Sequence, residues 1–226
     1  MMKAIVYRAY GSTDVLHLET VELPKPKDHQ VLIKVKAAAI NSWDWDLLRG
    51  KPFLTRLVGG GILNPKKTIL GCDVAGIVTS VGKKVSQFKI GDPVFGDLSA
   101  SGWGCFAEYV CANEDALVIK PDNMTFEQAA AIPQAGVMAL QGVRDYGKVQ
   151  QGQKVLINGA GGGVGTFAIQ LAKLAGAEVT AVDSAAKLEK MKALGADHVI
   201  DYVQNDFTKS GHTYDLILDV VGHHSI

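Results

Sequence analysis

The chain has 226 residues, about one and a half ordinary domains, which favours one large fold or two unequal ones. Its 23 basic and 23 acidic side chains cancel, so no net field gathers phosphate backbones or anionic lipid, and nucleic acid and membrane are set aside as partners. Hydrophobic residues at 47% against 20% charged describe a chain that buries a core.

The opening MMKAIVYRAYG turns polar before an apolar run reaches signal-peptide length, and nowhere do 18 apolar residues pass without a charge or a proline. A soluble protein with a cytoplasmic address is expected. Cys72, Cys105 and Cys111 form an odd, sparse set, which predicts reduced thiols rather than a disulfide framework. The 25 glycines follow no period, so many are expected in turns and at close backbone approaches.

Through about residue 120 the ordered runs alternate with period two or are short apolar stretches fenced by Gly and Pro. KAIVYRA, VLIKVKAAA, CDVAGIVTSV, DPVF and FAEYVCA read as strands, with Val31, Ile33, Val35 and Ala37 on one face and Lys34 and Lys36 on the other. Residues 42 to 50 carry Trp43, Asp46 and Leu47 at helical spacing, and the loop around Gly59, Gly60 and Gly61 has no period. A chain of many strands punctuated by turns tends to close into a barrel, which removes exposed edges.

From Thr125 the period changes. Thr125 and Gln128 form a capping box, and Pro133 suits the first turn of the next helix, AGVMALQGVRDYG. Then KVLIN (154 to 158), a small-residue helix from Gly163 to Ala175, EVTAVD (178 to 183), the helix AAKLEKMKAL (185 to 194), HVIDY (198 to 202) and YDLILDVVG (214 to 222) alternate as strand and helix. Gly176 and Gly195 stand where helices end in a left-handed residue. The expected product is a parallel sheet with covering helices, so the chain divides into 1-124, β-rich, and 125-226, α/β.

Between the strand KVLIN and its helix lies Gly159-Ala160-Gly161-Gly162-Gly163-Val164-Gly165. A helix N-terminus offers unsatisfied N–H groups and partial positive charge, and glycine lets a pyrophosphate approach the backbone. Ala160, Gly162 and Gly165 hold the three places of a G-x-G-x-x-G pattern, with alanine in the first, and Gly163 and Val164 complete the expected cradle. Asp183, twenty residues past Gly163 at the end of the next strand, suits the ribose hydroxyls of NAD. Ser184, Lys187 and Tyr202 suit the 2′-phosphate of NADP instead, so NAD(H) and NADP(H) both remain open as cofactors.

These motifs carry a resemblance along nearly the whole chain: MKAIVY, AAINSWDWDLLRG, GCDVAGIVTSVG, FKIGDPVFG, GCFAEYV, AAAIPQAGVMALQG, VLINGAGGGVGTFAIQLAK, LGADHVIDY and YDLILDVVG. The sequence resembles the medium-chain dehydrogenase/reductase superfamily, in its zinc-independent quinone oxidoreductase-like branch. The resemblance implies a GroES-like barrel as catalytic domain, then a Rossmann domain. It also implies an NAD(P)H-dependent oxidoreductase that passes hydride to a small-molecule quinone or α,β-unsaturated carbonyl. An enoyl-thioester reductase of the same superfamily and a non-catalytic dinucleotide-binding protein are the alternatives. Where zinc-dependent members place a cysteine this chain has Asn41, and their Gly-His-Glu is Gly71-Cys72-Asp73 here, so no metal is expected. His223 and His224 belong to the tail and are not counted as ligands.

Asn41 is the catalytic candidate, as donor to the acceptor's oxygen; capping the helix at Ser42 is its other reading. Trp43 and Trp45 are candidate walls of the substrate site, and Asp44 and Asp73 are expected to hold loops through backbone N–H groups. The stretch from Lys154 onward has room for four parallel strands of the six in a complete Rossmann sheet, in the order 3-2-1-4. A shortened second domain is therefore expected, with weak turnover for this chain, and a homodimer only for a full-length parent.

Overall fold

A computed structural model describes residues 1–58 and 61–222. Gly59, Gly60, His223 and His224 lie outside the described residues. The chain forms two compact units, Met1–Gln134 and Ala135–Ile226.

In the first unit β1 (Met2–Val6) and β2 (His17–Val21) make an antiparallel ribbon. Five further strands follow: β3 (Gln30–Ala39), β4 (Asp73–Val81), β5 (Pro93–Asp97), β6 (Tyr109–Asn113) and β7 (Leu117–Ile119). They form an antiparallel sheet in the order β6-β3-β4-β5-β7, and isolated bridges at Ala4↔Ala107 and Val6↔Ile69 tie the ribbon to neighbouring segments. Val31, Ile33, Val74, Val78 and Val94 are fully buried in its core, while Lys34 and Lys36 are exposed, as the alternation requires. Leu32 is buried as well, because β3 shifts register against β4 between Leu32 and Ile33. Two strands escaped the sequence reading: β2 mixes polar and apolar residues, and β7 has three residues, so pairing rather than pattern makes them strands.

Helix α1 (Ser42–Arg49) ends at Gly50 in the left-handed conformation, and α2 (Leu54–Val58) follows. Helix α3 (Phe126–Ala130) opens on the anticipated capping box, with Thr125 and Gln128 each accepting the other's backbone N–H. Its Ala129 and Ala130 pack on Ala75 and Phe95 of the sheet, so the first unit runs past the change of period at Thr125. Lys120 is buried at the approach to α3, donating to the carbonyls of Pro121 and Met124 at 2.8 and 2.7 Å.

Helix α4 (Pro133–Leu140) begins at the proline and runs on as a π-helical turn, Gln141–Tyr146. In the second unit β8 (Lys154–Asn158), α5 (Gly163–Leu174), β9 (Glu178–Asp183), α6 (Leu188–Ala193), β10 (His198–Asp201) and β11 (Leu216–Asp219) alternate. The sheet is wholly parallel in the order β10-β9-β8-β11, which is 3-2-1-4 counted from β8. Val155, Leu156, Ile157, Val179, Ala181 and Val182 are completely buried, which explains their continuous apolar runs. The helix expected over 185 to 194 is divided: Ala185–Lys187 is a tight 3₁₀ turn on Ser184, and α6 starts after it. Gly176 and Gly195 end α5 and α6 at φ of 81° and 106°.

Candidate functional site

The turn from β8 to α5 places the glycines to different uses. Gly159 makes the turn at φ 83°, and Ala160 is wholly buried with its N–H on the Val182 carbonyl. Gly165 faces the strand: a Cβ there would lie 2.4 Å from the Gly159 carbonyl oxygen and 2.5 Å from Ala160 Cα, so its role is close helix–strand packing. Gly162 is the N-cap and has no side chain to satisfy the first turn, whose N–H groups, from Gly163 through Gly165, have no acceptor within the helix. Gly163 is exposed and Val164 half-buried against the core. An uncapped helix end of twelve residues behind a glycine turn fits a dinucleotide pyrophosphate.

Beside this turn, Asp183 at the end of β9 is bound on both oxygens. Oδ2 accepts the Gly161 N–H at 2.9 Å; Oδ1 accepts the Ser184 N–H at 2.8 Å and the Ser184 hydroxyl at 3.3 Å, and pairs with Lys187 Nζ at 3.0 Å. Burial pushes this carboxyl's pKa up, but the donors from Ser184, Lys187 and Gly161 together outweigh it and hold it below the usual carboxylate range. The Lys187 stem lies over the turn, so a Cβ on Gly161 would meet its Cδ at 2.4 Å. The Tyr202 N–H donates to the Asp183 carbonyl at 3.3 Å, which brings Tyr202 to the same corner with its side chain half exposed. The ties of Asp183 to Gly161 and Lys187 were missed, since nothing local marks which donors a strand-end carboxylate finds.

In the first unit Asn41 is the N-cap of α1 and forms a capping box with Asp44. Its amide nitrogen donates to Asp73 Oδ2 at 3.1 Å and approaches Cys72 Sγ at 3.6 Å. In the reciprocal half of the box Asp44 Oδ2 accepts the Asn41 N–H, and Oδ1 accepts the Gly71 N–H, both at 2.8 Å. Asp73 also receives the Gln134 N–H at 3.2 Å, so both aspartates hold backbone as their positions led us to expect. Burial first, then the charges of Asp97 and Asp44, raise Asp73 to about 6, against the Asn41 and Gln134 donors. Burial likewise pushes the Cys72 thiol up.

Helix geometry separates the two tryptophans. Trp43 packs into the cluster of Tyr7, Leu47, Leu48, Leu70, Cys72 and Trp103, with its ring 6.3 Å from that of Trp103 at 75°, while Trp45 is largely exposed under the Arg49 guanidinium, 4.6 Å away. Trp103 carried no expectation; an indole between Gly102 and Gly104 was the only hint. It has φ 69°, a conformation costing roughly 1–3 kcal/mol for a bulky residue.

Among the described residues one group could hold a metal: one ligand atom each of Cys72, Asp73 and Asp97 lies within 4.8 Å of the others. Asp97, unforeseen there, accepts the Ser99 N–H at 2.7 Å and its hydroxyl at 3.0 Å. No helix among the described residues is long and apolar enough to cross a membrane.

An antiparallel GroES-like unit followed by a Rossmann-like unit with a dinucleotide-type turn defines the class of fold to which the chain belongs. Residues 27–122 match the alcohol dehydrogenase GroES-like domain, and residues 163–226 match the zinc-binding dehydrogenase family. The chain is 40% identical over 230 residues to the 2-methylene-furan-3-one reductase of Solanum lycopersicum, covering 98% of this chain and 57% of that protein. It is 39% identical to the chloroplastic NADPH-dependent alkenal/one oxidoreductase of Arabidopsis thaliana, over 98% of this chain and 58% of that one. The solved quinone oxidoreductase of Coxiella burnetii superposes with a TM-score of 0.90 at 38% identity, over 98% of this chain and 69% of that chain. The chain belongs to the medium-chain dehydrogenase/reductase superfamily. It spans a little over half the length of the two plant relatives.

Proposed function

We propose that the chain takes part in NADPH-dependent reduction of quinones or α,β-unsaturated carbonyls, without a zinc ion. The observation that carries this reading is the uncapped start of α5 next to the Asp183–Lys187 pair. NADPH would supply a hydride to the conjugated carbon of the acceptor, and a proton from solvent would complete the reduction. The N–H groups of Gly163, Val164 and Gly165 would receive the pyrophosphate. An unpaired carboxylate at the end of β9 would repel a 2′-phosphate, but Asp183 is balanced by Lys187 and bound on both oxygens. Lys187, Ser184 and Tyr202 are then the groups that meet the adenosine ribose. The names of the plant relatives support an enone acceptor, and that of the Coxiella enzyme a quinone.

A conjugated acceptor is activated within itself, so the chain has mainly to position it. Cys72, Asp73 and Asp97 each already accept a hydrogen bond within the chain, which supports a reaction independent of zinc. Metal analysis of the purified protein is expected to find far less than one zinc per chain; one equivalent overturns this part. The free thiols of Cys72, Cys105 and Cys111 suit a reducing compartment, of which the cytoplasm is one.

Fluorescence titration tests the cofactor reading. Lys187→Ala is expected to weaken NADPH binding by about 10- to 100-fold, the worth of a charge-assisted hydrogen bond. NADH binding should change little. Equal losses for both nucleotides, or no binding of either to the unmodified protein, would count against the proposal.

A further inference from the structure

We infer that Lys67 receives the carbonyl oxygen of the acceptor, and that Trp43, backed by the buried Trp103, forms the aromatic seat for its conjugated plane. The inference rests on the reductase reading above and assigns its acceptor site within the first unit.

The Asn41 amide is committed, with its nitrogen directed at Asp73 and Cys72, so it has no free hydrogen for a ligand in this arrangement. Lys67 differs. Its ammonium stands 5.5 Å over the Trp103 ring, and among the described residues it has no carboxylate in ion-pair reach and no carbonyl to donate to. The other described lysines that are not exposed are satisfied: Lys120 by two carbonyls, Lys173 by Asp197 and the Ala177 carbonyl. Burial without a partner lowers the Lys67 pKa, and burial is the cause of that shift. A partly desolvated cation with open donors is costly to keep unless something else takes those donors.

The surroundings specify what that is. Trp43 and Trp103 meet edge to face, and the cluster they join includes Cys72, the thiol the Asn41 amide approaches. Trp103 is held inward from a left-handed backbone between Gly102 at φ 128° and Gly104 at φ 106°, with the N–H groups of Ser101, Gly102 and Trp103 all on the Leu98 carbonyl. Trp103 is buried beneath the ammonium and backs Trp43, which keeps part of its surface open, so the pair suits a flat, electron-poor molecule that carries an oxygen acceptor: the plane lies against Trp43 and the oxygen takes an N–H of Lys67.

Binding of 1,4-naphthoquinone, read as quenching of the emission of the three tryptophans, tests this without turnover. Saturable quenching is expected for the unmodified protein. Lys67→Met should raise the quinone Kd about tenfold or more at an unchanged melting temperature, and Lys67→Arg should restore most of the affinity. Saturable binding that is indifferent to Lys67→Met, or purely collisional quenching of the unmodified protein, overturns the inference. NADPH titration of the same samples reads the reductase proposal separately: intact NADPH binding with unaltered quinone binding in Lys67→Met sinks this assignment alone.

Discussion

Gly165→Ala is expected to lower the stability of the second unit by about 1–3 kcal/mol, although alanine is the better helix former. The added Cβ would stand 2.4 Å from the Gly159 carbonyl oxygen and 2.6 Å from the Ala160 carbonyl carbon, both backbone atoms of the same turn. Relief requires α5 to lift from β8, which disturbs the buried contacts of Ala168, Ile169 and Ala172. Gly162→Ala is the informative partner. Its nearest neighbour would be the Gly159 oxygen at 3.3 Å, and its φ of −85° is open to any residue, so stability should hardly move. Dinucleotide affinity should still fall, because a methyl would project where the pyrophosphate must reach the helix end. Urea unfolding and NADPH titration of both variants separate the two roles. A Gly165→Ala protein as stable as its parent would contradict the close approach of α5, and full NADPH affinity in Gly162→Ala would move the pyrophosphate elsewhere.

Asp73→Asn should stabilise the protein relative to its parent by an amount that grows as pH rises from about 4 to 6 and is constant above. The Asp73 carboxyl is fully buried, and its pKa stands at about 6 in the fold against 3.8 for an ordinary aspartate. Below the lower value it is protonated both folded and unfolded, and its ionisation costs nothing. Between the two values the unfolded chain gives up the proton while the fold retains it, so stability falls with rising pH. Above about 6 the penalty is complete, about 3 kcal/mol for a difference of this size. The amide keeps an acceptor for Asn41 and the Gln134 N–H, and loss of the second oxygen adds only an offset that does not vary with pH. Urea midpoints of the two proteins at pH 4 and pH 7 give the comparison. A difference between them that is the same at both pH values would show that Asp73 ionises normally in the fold.

Both effects depend on contacts of unequal visibility in the sequence. Strands β8 and β9 were legible to the residue because a parallel strand covered on both faces must be a continuous apolar run. The Thr125–Gln128 box, Pro133 at the start of α4, and Gly176 and Gly195 past their helices were legible because each satisfies a need of the chain within four residues of itself. The division of 185 to 194 was not, since the 3₁₀ turn depends on where Lys187 goes, and Lys187 goes to Asp183. The candidate residues divide in the same way. Gly162 at the head of α5 follows from motif and spacing, whereas the partner of the Asn41 amide nitrogen is Asp73, 32 residues later.

By itself, then, the amino-acid order determined the two kinds of unit and the glycine turn, because periodicity, capping and positive φ act over a few residues, while the order of the parallel strands came from the resemblance to a Rossmann domain. Tertiary structure decided the electrostatics. It tied Asp183 to Gly161 and Lys187, brought Asp97 to Cys72 and Asp73, and left the Lys67 ammonium over Trp103 without a counter-charge among the described residues. The physical reason is that the field at a charge depends on the few ångströms around it, and residues far apart in the chain fill that space.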